Sequence, residues 1–312
     1  MTNPGRDAPG SLDALSARTL AAGDLESDFL PARGMLGISL RHRGAELLRR
    51  VDDLACAAAR GSSAGISLLH PWANRLASAR YRAAGRDVSL DPRSPLLHLD
   101  EHGLPMHGVP WSKLAWEVVE TRRERLVTRL DWDRAELLAV FPFPHRLEIA
   151  ATLGPGGLTM ETTLAAGAAG PVPVSFGYHP YFGIPGLARA EWRLAGPAMR
   201  RIVLDGRGIP IGKEEPFAAF DALLGGRDLD DGFALPGERG SFTLAGAGRC
   251  ISVDFLEGFR CAQLYAPLGR DFVALEPMTA PANALVSGRG LQLVEPGGTF
   301  RATFRIRIDG TR

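Results

Sequence analysis

Lysine is nearly missing from this chain of 312 residues: of 36 basic residues only Lys113 and Lys213 are lysines, and 35 acidic residues bring the net charge to +1. A polyanionic partner calls for clustered positive charge, so nucleic acid is not expected as a ligand. Cysteine is also scarce. Cys56, Cys250 and Cys261 are odd in number, far apart and without C-x-x-C spacing, which argues against a disulfide framework or a zinc knuckle and for a reducing, cytoplasmic setting. No apolar run reaches the ~18 residues of a membrane span, and no basic stretch leads into an apolar one at the N-terminus, so no membrane association is expected. Nucleotide signatures of the G-x-x-x-x-G-K-[ST] and G-x-G-x-x-G kinds are absent, as is the G-x-S-x-G serine elbow.

Short apolar runs of period two, broken by 37 glycines and 23 prolines, are abundant. Near the C-terminus Phe300, Ala302, Phe304, Ile306 and Ile308 alternate with polar residues, the pattern of a half-buried strand. Leu147, Ile149, Ala151 and Leu153, then "GPGG", then Leu158, Met160, Thr162 and Leu164 read as a hairpin. Further candidate strands are "LGISLRH", "AELLRRV", "AGISLLH", "ASARYR", "PVPVSFGY", "ISVDFLE", "AQLYAP" and "DFVALEP". The segment "WEVVETRRERLVTRLDW" fits helix and strand equally well. Residues 1–33 carry no sustained period and are expected to form a tail or loose cover, with one all-β domain, a single large antiparallel sandwich, over residues 34–312.

Four stretches carry chemistry-bearing residues. "HPWANRL" places Trp72, Asn74 and Arg75 after an apolar strand; this is a common surface arrangement, yet also a fork of donors suited to a polyhydroxylated ligand. "HGVPW" sets His107 before a glycine that permits close backbone approach, with Trp111 as a candidate pocket wall. "SFGYHPYF" holds His179 between Tyr178 and Tyr181, both expected to keep its imidazole aimed. "ALEPMTAPANAL" runs from an apolar strand into Glu276, a carboxylate that must be desolvated or pinned. His98, His102 and His107 have a metal-like spacing, but Pro92, Pro95, Gly103 and Pro105 break any helix that would aim them together, so a solvated loop is the favoured reading.

In this order and at these separations the four stretches resemble the aldose 1-epimerase (galactose mutarotase-like) family, over roughly residues 34–308, with departures that place the chain in a divergent, bacterial-looking branch. The resemblance implies a β-supersandwich with an open carbohydrate cleft. It also implies interconversion of the α and β anomers of a free or phosphorylated aldose, with no cofactor or metal required. It assigns Glu276 as catalytic base and His179 as general acid, an ionised carboxylate and an imidazolium on opposite sides of one sugar ring. Arg75, His107 and Asn74 become sugar-binding residues, as does Asp230, with Asp231 its alternative. Trp72, Trp111, Tyr181 and Phe233 become rings on which a sugar face can pack, and a phosphorylated sugar would need arginines at the rim, with Arg80, Arg82 and Arg270 as candidates.

Overall fold

A computed structural model describes residues 17–49 and 54–310. Two large antiparallel sheets face one another, so the all-β sandwich expected from the sequence is the fold adopted. The first has eleven strands. Ten follow the spatial order Arg18–Ala22, Leu25–Leu30, Leu36–His42, Ile66–Leu69, Gly177–Phe182, Val273–Met278, Cys261–Ala266, Leu229–Ala234, Met199–Leu204 and Pro210–Phe217, and Ala45–Glu46 pairs with Leu36–His42. The second has nine, in the order Phe220–Leu223, Arg193–Gly196, Gly240–Gly246, Arg249–Glu257, Thr299–Gly310, Gly157–Ala166, His145–Gly154, Arg125–Trp132 and Glu117–Thr121. Each of the eight candidate runs contains or overlaps a strand; in "AELLRRV" only Ala45–Glu46 is one, and Arg50 and Val51 lie outside the described residues.

Period-two burial explains the pairing. On Thr299–Gly310 the side chains of Ala302, Phe304, Ile306 and Ile308 are buried, and Phe304 packs on Phe259 and Tyr178 between the sheets. The "GPGG" hairpin pairs Gly154 with Gly157 as expected. The ambiguous segment resolves into strands Glu117–Thr121 and Arg125–Trp132, because Leu126, Thr128, Leu130 and Trp132 are all buried at a spacing of two.

The expected tail needs correction. Residues 1–16 lie outside the described residues, but Arg18–Ala22 and Leu25–Leu30 form a hairpin that pairs with Leu36–His42 across the expected boundary at residue 33. Leu20, Ala22, Leu25, Ser27 and Phe29 are buried. The strands are short and the turn is only Gly23-Asp24, so the alternation is easily overlooked within a polar sequence.

Candidate functional site

The site is set by which way one strand faces. Tyr178 of Gly177–Phe182 points between the sheets, its Oη 2.6 Å from Thr162 Oγ1 of the second sheet. Successive strand residues alternate, so His179 turns to the outer face, as does Tyr181. On the neighbouring strand the pairs Gly177↔Met278 and Tyr181↔Ala274 bracket His179, which places Glu276 directly opposite it. The result is a contact of 3.2 Å between His179 Nε2 and Glu276 Oε1, with side chains 6% and 2% exposed at the floor of an open cleft of about 740 Å³. That volume lies within the ~300–1,000 Å³ usual for small-molecule sites.

This geometry corrects two expectations. His179 and Glu276, expected on opposite sides of one ring, are instead in direct contact. Nor does burial favour the charged pair. It drives the Glu276 carboxyl well above its ordinary range, helped by the nearby charge of Asp230, and drives the His179 imidazole well below its own, helped by His107. Both shifts favour the uncharged forms, a protonated Glu276 beside a neutral His179. Glu276 Oε2 is buried without a hydrogen-bond partner.

Tyr181 extends the pair. Its ring stacks on His179 with centroids 4.2 Å apart, and its Oη lies 3.3 Å from His179 Nε2 and 2.6 Å from Ser63 Oγ. Tyr178, facing the core, plays no part in aiming the imidazole, contrary to the sequence reading.

One end of the cleft is built by the loops that carry Asn74, Arg75 and His107. Asn74 N–H donates to His107 Nδ1 at 3.2 Å, and His107 N–H donates to the Asn74 carbonyl at 2.9 Å. An accepting Nδ1 leaves Nε2 as the protonated nitrogen, and burial, with Arg75 and His98 nearby, lowers the His107 pKa to about 3. His107 is thus a neutral N–H donor. Gly108 follows at φ +67°, where a Cβ would overlap the His70 carbonyl, which confirms the reading of that glycine.

Arg75 is held by Asp100, whose Oδ2 lies 2.7 Å from Nε, and its Nη2 lies 3.7 Å from Glu101. Burial alone would raise the Asp100 carboxyl, but hydrogen bonds from Leu104 N–H, Arg75 and His102 N–H outweigh it and keep it below its ordinary value. Asn283, from "APANAL", secures the same loop by donating from its backbone to the Arg75 carbonyl and accepting from Ala77 N–H, both at 2.8 Å.

Asp230 lines the cleft and accepts from Gln263 Nε2 at 2.6 Å. Its carboxyl is raised by desolvation, against the pull of Gln263 and Arg75. Asp231, the alternative, points instead toward Arg201 at 3.9 Å and does not line the cleft.

Other sequence-derived site residues are not brought here. Trp72 is fully buried in the core, as is Phe233, and Trp111 donates its indole N–H to the Ser62 carbonyl beneath the cleft wall; none of the three lines the cleft. Apolar bulk placed them in the core, so Tyr181 is the one ring of the expected four that faces the cleft. Arg80 and Arg82 sit on a separate hairpin, Arg82 paired with Asp87 at 2.7 Å, whereas Arg270 does line the cleft. Of the three spaced histidines, His98 and His107 line it and His102 points to Glu101 at 3.9 Å; among the described residues no group of three ligands is poised for a metal.

Asp100, Gln263, Tyr265, Ser63, Arg49 and Phe272 went unnoticed in the sequence. "AQLYAP" offered a signal, because Gln263 and Tyr265 alternate with Leu264 and must share the face opposite to it.

Comparison with known proteins agrees with this geometry. The family model described as aldose 1-epimerase matches residues 38–307. The chain is 24% identical over 262 residues to YihR of Escherichia coli (strain K12), itself named an uncharacterized protein, covering 77% of each chain. Among solved structures it superposes on a galactose mutarotase-like protein from Clostridium acetobutylicum with a TM-score of 0.81 at 16% identity, covering 94% of this chain and 95% of that one. The Slr1438 protein from Synechocystis sp. PCC 6803 matches over 100% of both chains, with a TM-score of 0.76 at 25% identity. The GalM/aldose epimerase homologue from C. elegans gives 0.78 at 16% identity, over 95% of this chain and 99% of that one. With a family match spanning most of its length, and a fold shared with these structures, the chain belongs to the aldose 1-epimerase family.

Proposed function

We propose that the protein is an aldose 1-epimerase that interconverts the α and β anomers of a hexose by opening and reclosing its ring. The observation that carries this reading is the contact of 3.2 Å between His179 and Glu276 on the cleft floor. A cyclic hemiacetal opens when the anomeric hydroxyl loses a proton, the ring oxygen gains one and the bond between C1 and the ring oxygen breaks. Both oxygens are bonded to C1, so a touching acceptor and donor can reach both at once. A pair that shares a single proton supplies one of each. Rotation about the C1–C2 bond then presents the other face of the aldehyde, and reclosure runs the two transfers backward. The roles of Glu276 and His179 exchange between the steps, and atoms and charge balance over the cycle.

Neighbouring residues fit supporting roles. His107 Nε2–H and the Arg75 guanidinium are donors, and Asp230 is an acceptor, for ring hydroxyls. A ligand hydroxyl would also relieve the unpartnered Glu276 Oε2, whose burial alone costs about 1–3 kcal/mol.

The test is the rate at which freshly dissolved α-anomers of glucose, galactose and glucose 6-phosphate reach anomeric equilibrium, followed by polarimetry or proton NMR. Acceleration in proportion to protein concentration supports the reading. Sugar binding without acceleration would instead describe a carbohydrate-binding protein.

A further inference from the structure

Ser63 lies on the cleft wall with its backbone pinned on both sides. The Ser62 carbonyl accepts the Trp111 indole N–H at 2.8 Å, and the Gly65 carbonyl accepts the Tyr181 backbone N–H at 3.1 Å. Gly65 itself stands at φ +51°, where a Cβ would overlap the Gly37 carbonyl, so the segment is packed directly on its neighbouring strand. Between these anchors the Ser63 hydroxyl is 2.6 Å from Tyr181 Oη. The phenol ring is held as firmly, stacked on His179 at 4.2 Å and edge-on to Phe272 at 5.0 Å. Among the described residues the Tyr181 hydroxyl reaches two partners, Ser63 Oγ and, at 3.3 Å, His179 Nε2. That nitrogen also faces Glu276 Oε1 at 3.2 Å.

The direction of these hydrogen bonds matters, because a ring nitrogen carries either one lone pair or one N–H. Burial raises the Tyr181 pKa, so the phenol keeps its proton and donates it one way or the other. Donated to Nε2, it would occupy the lone pair that has to take a proton from the sugar. Donated to Ser63, it leaves an oxygen lone pair facing His179. The contact to Ser63 is much the shorter, at the usual length of an O–H···O bond. Resting on the ring-opening reading above, we infer that Ser63 is a positioning residue: it takes the phenol hydrogen bond of Tyr181, so that Tyr181 Oη accepts from the imidazolium that His179 becomes as the ring opens. No proton passes through the two hydroxyls. The anomeric proton moves to Nε2, the Glu276 proton moves to the ring oxygen, and reclosure reverses both.

The experiment is a double-mutant cycle over Ser63→Ala and Tyr181→Phe, with Ser63→Thr as the variant that keeps a hydroxyl. One arm follows anomerisation of whichever of glucose, galactose and glucose 6-phosphate is turned over fastest. Ser63→Ala is expected to lower kcat about tenfold, the worth of one hydrogen bond to a charged group, while KM changes less than about twofold. Ser63→Thr should recover most of that loss, and with Tyr181→Phe already in place Ser63→Ala should cost nothing further. The second arm needs no turnover: it follows the nitrogen NMR resonance of His179 Nε2 at neutral pH, assigned by its disappearance in His179→Gln. Ser63→Ala should shift that resonance as the phenol turns its proton onto Nε2, and should leave it unmoved in the Tyr181→Phe background. A resonance indifferent to Ser63→Ala, an effect of Ser63→Ala that persists without the phenol hydroxyl, or a loss confined to KM would overturn the inference. A resonance that moves as expected while no aldose is turned over would uphold the hold of Ser63 on Tyr181 and overturn the ring-opening reading instead.

Discussion

His179 Nε2 and Glu276 Oε1 stand 3.2 Å apart because two adjacent antiparallel strands place the residues opposite each other on the outer face of one sheet. In the proposed mechanism the pair acts as a unit, so its members should not contribute independently. Glu276→Gln and His179→Gln are each expected to lower kcat/KM by about 10²–10⁴, and the double variant to be little worse than the poorer single one. Losses that multiply would mean the two groups work separately. Circular dichroism on each variant checks that the fold is kept.

Activity should follow a bell-shaped pH profile, since ring opening needs one proton on the pair, neither two nor none. Burial moves His179 below its ordinary 6.5, so the acid limb, where the second proton binds, should fall below that value. Burial moves Glu276 above its ordinary 4.5, which places loss of the last proton above that value. The profile of kcat/KM measures both limbs, and an acid limb above 6.5 would contradict the proposed state of the imidazole.

The two adjacent aspartates should separate cleanly. Asp230→Asn replaces an acceptor on the cleft and is expected to raise KM about tenfold, whereas Asp231→Asn, facing Arg201, should change it little. Steady-state kinetics on the best substrate distinguishes them.

Two tyrosines flanking one histidine should likewise differ. Tyr178→Phe removes the bond to Thr162 inside the core, so it should cost about 1 kcal/mol of stability and leave catalysis near normal. Tyr181→Phe removes the contacts to His179 and Ser63 and so should lower kcat as well, which Tyr178→Phe should not. Thermal melts beside rate measurements provide the comparison.

Stability itself should depend on pH through a second histidine pair, away from the cleft. His70 and His145 are buried with their Nε2 atoms 3.0 Å apart, and burial lowers His70 well below its ordinary value and His145 to about 4. Once unfolded, both would titrate near 6.5. The unfolded chain therefore takes up protons that the fold excludes, and stability should fall as pH drops from about 6.5 toward 4, by roughly 3 kcal/mol for His145 alone. Glu276, held above its ordinary value, works the other way. Melting temperature against pH is the measurement, and a flat curve across that window would refute the neutral pair.

Legibility in the sequence followed local pattern. Period-two alternation was enough to recover many of the sandwich strands, though not those between Arg193–Gly196 and Gly240–Gly246, and Glu276, His179, Arg75, His107, Asn74 and Asp230 all line one cleft. What escaped was whatever depends on partners distant in the chain. The hairpin at Arg18–Leu30 is stabilised by pairing with Leu36–His42, and Asp100 becomes significant only when it meets Arg75. Direction was equally hidden: Trp72 sits within a site motif, yet its strand-end position turns its ring into the core. Contact between His179 and Glu276 also came from register, which no single stretch contains.

The central claim is that this one pair opens the sugar ring, and the most direct test is proton NMR exchange between α and β anomers with the unaltered protein and with Glu276→Gln side by side. Exchange well above the spontaneous rate for at least one free or anionic aldose, falling by 10² or more on that single substitution, is the result expected. Exchange that stays at the spontaneous rate for every aldose, or acceleration that survives the substitution intact, would contradict it.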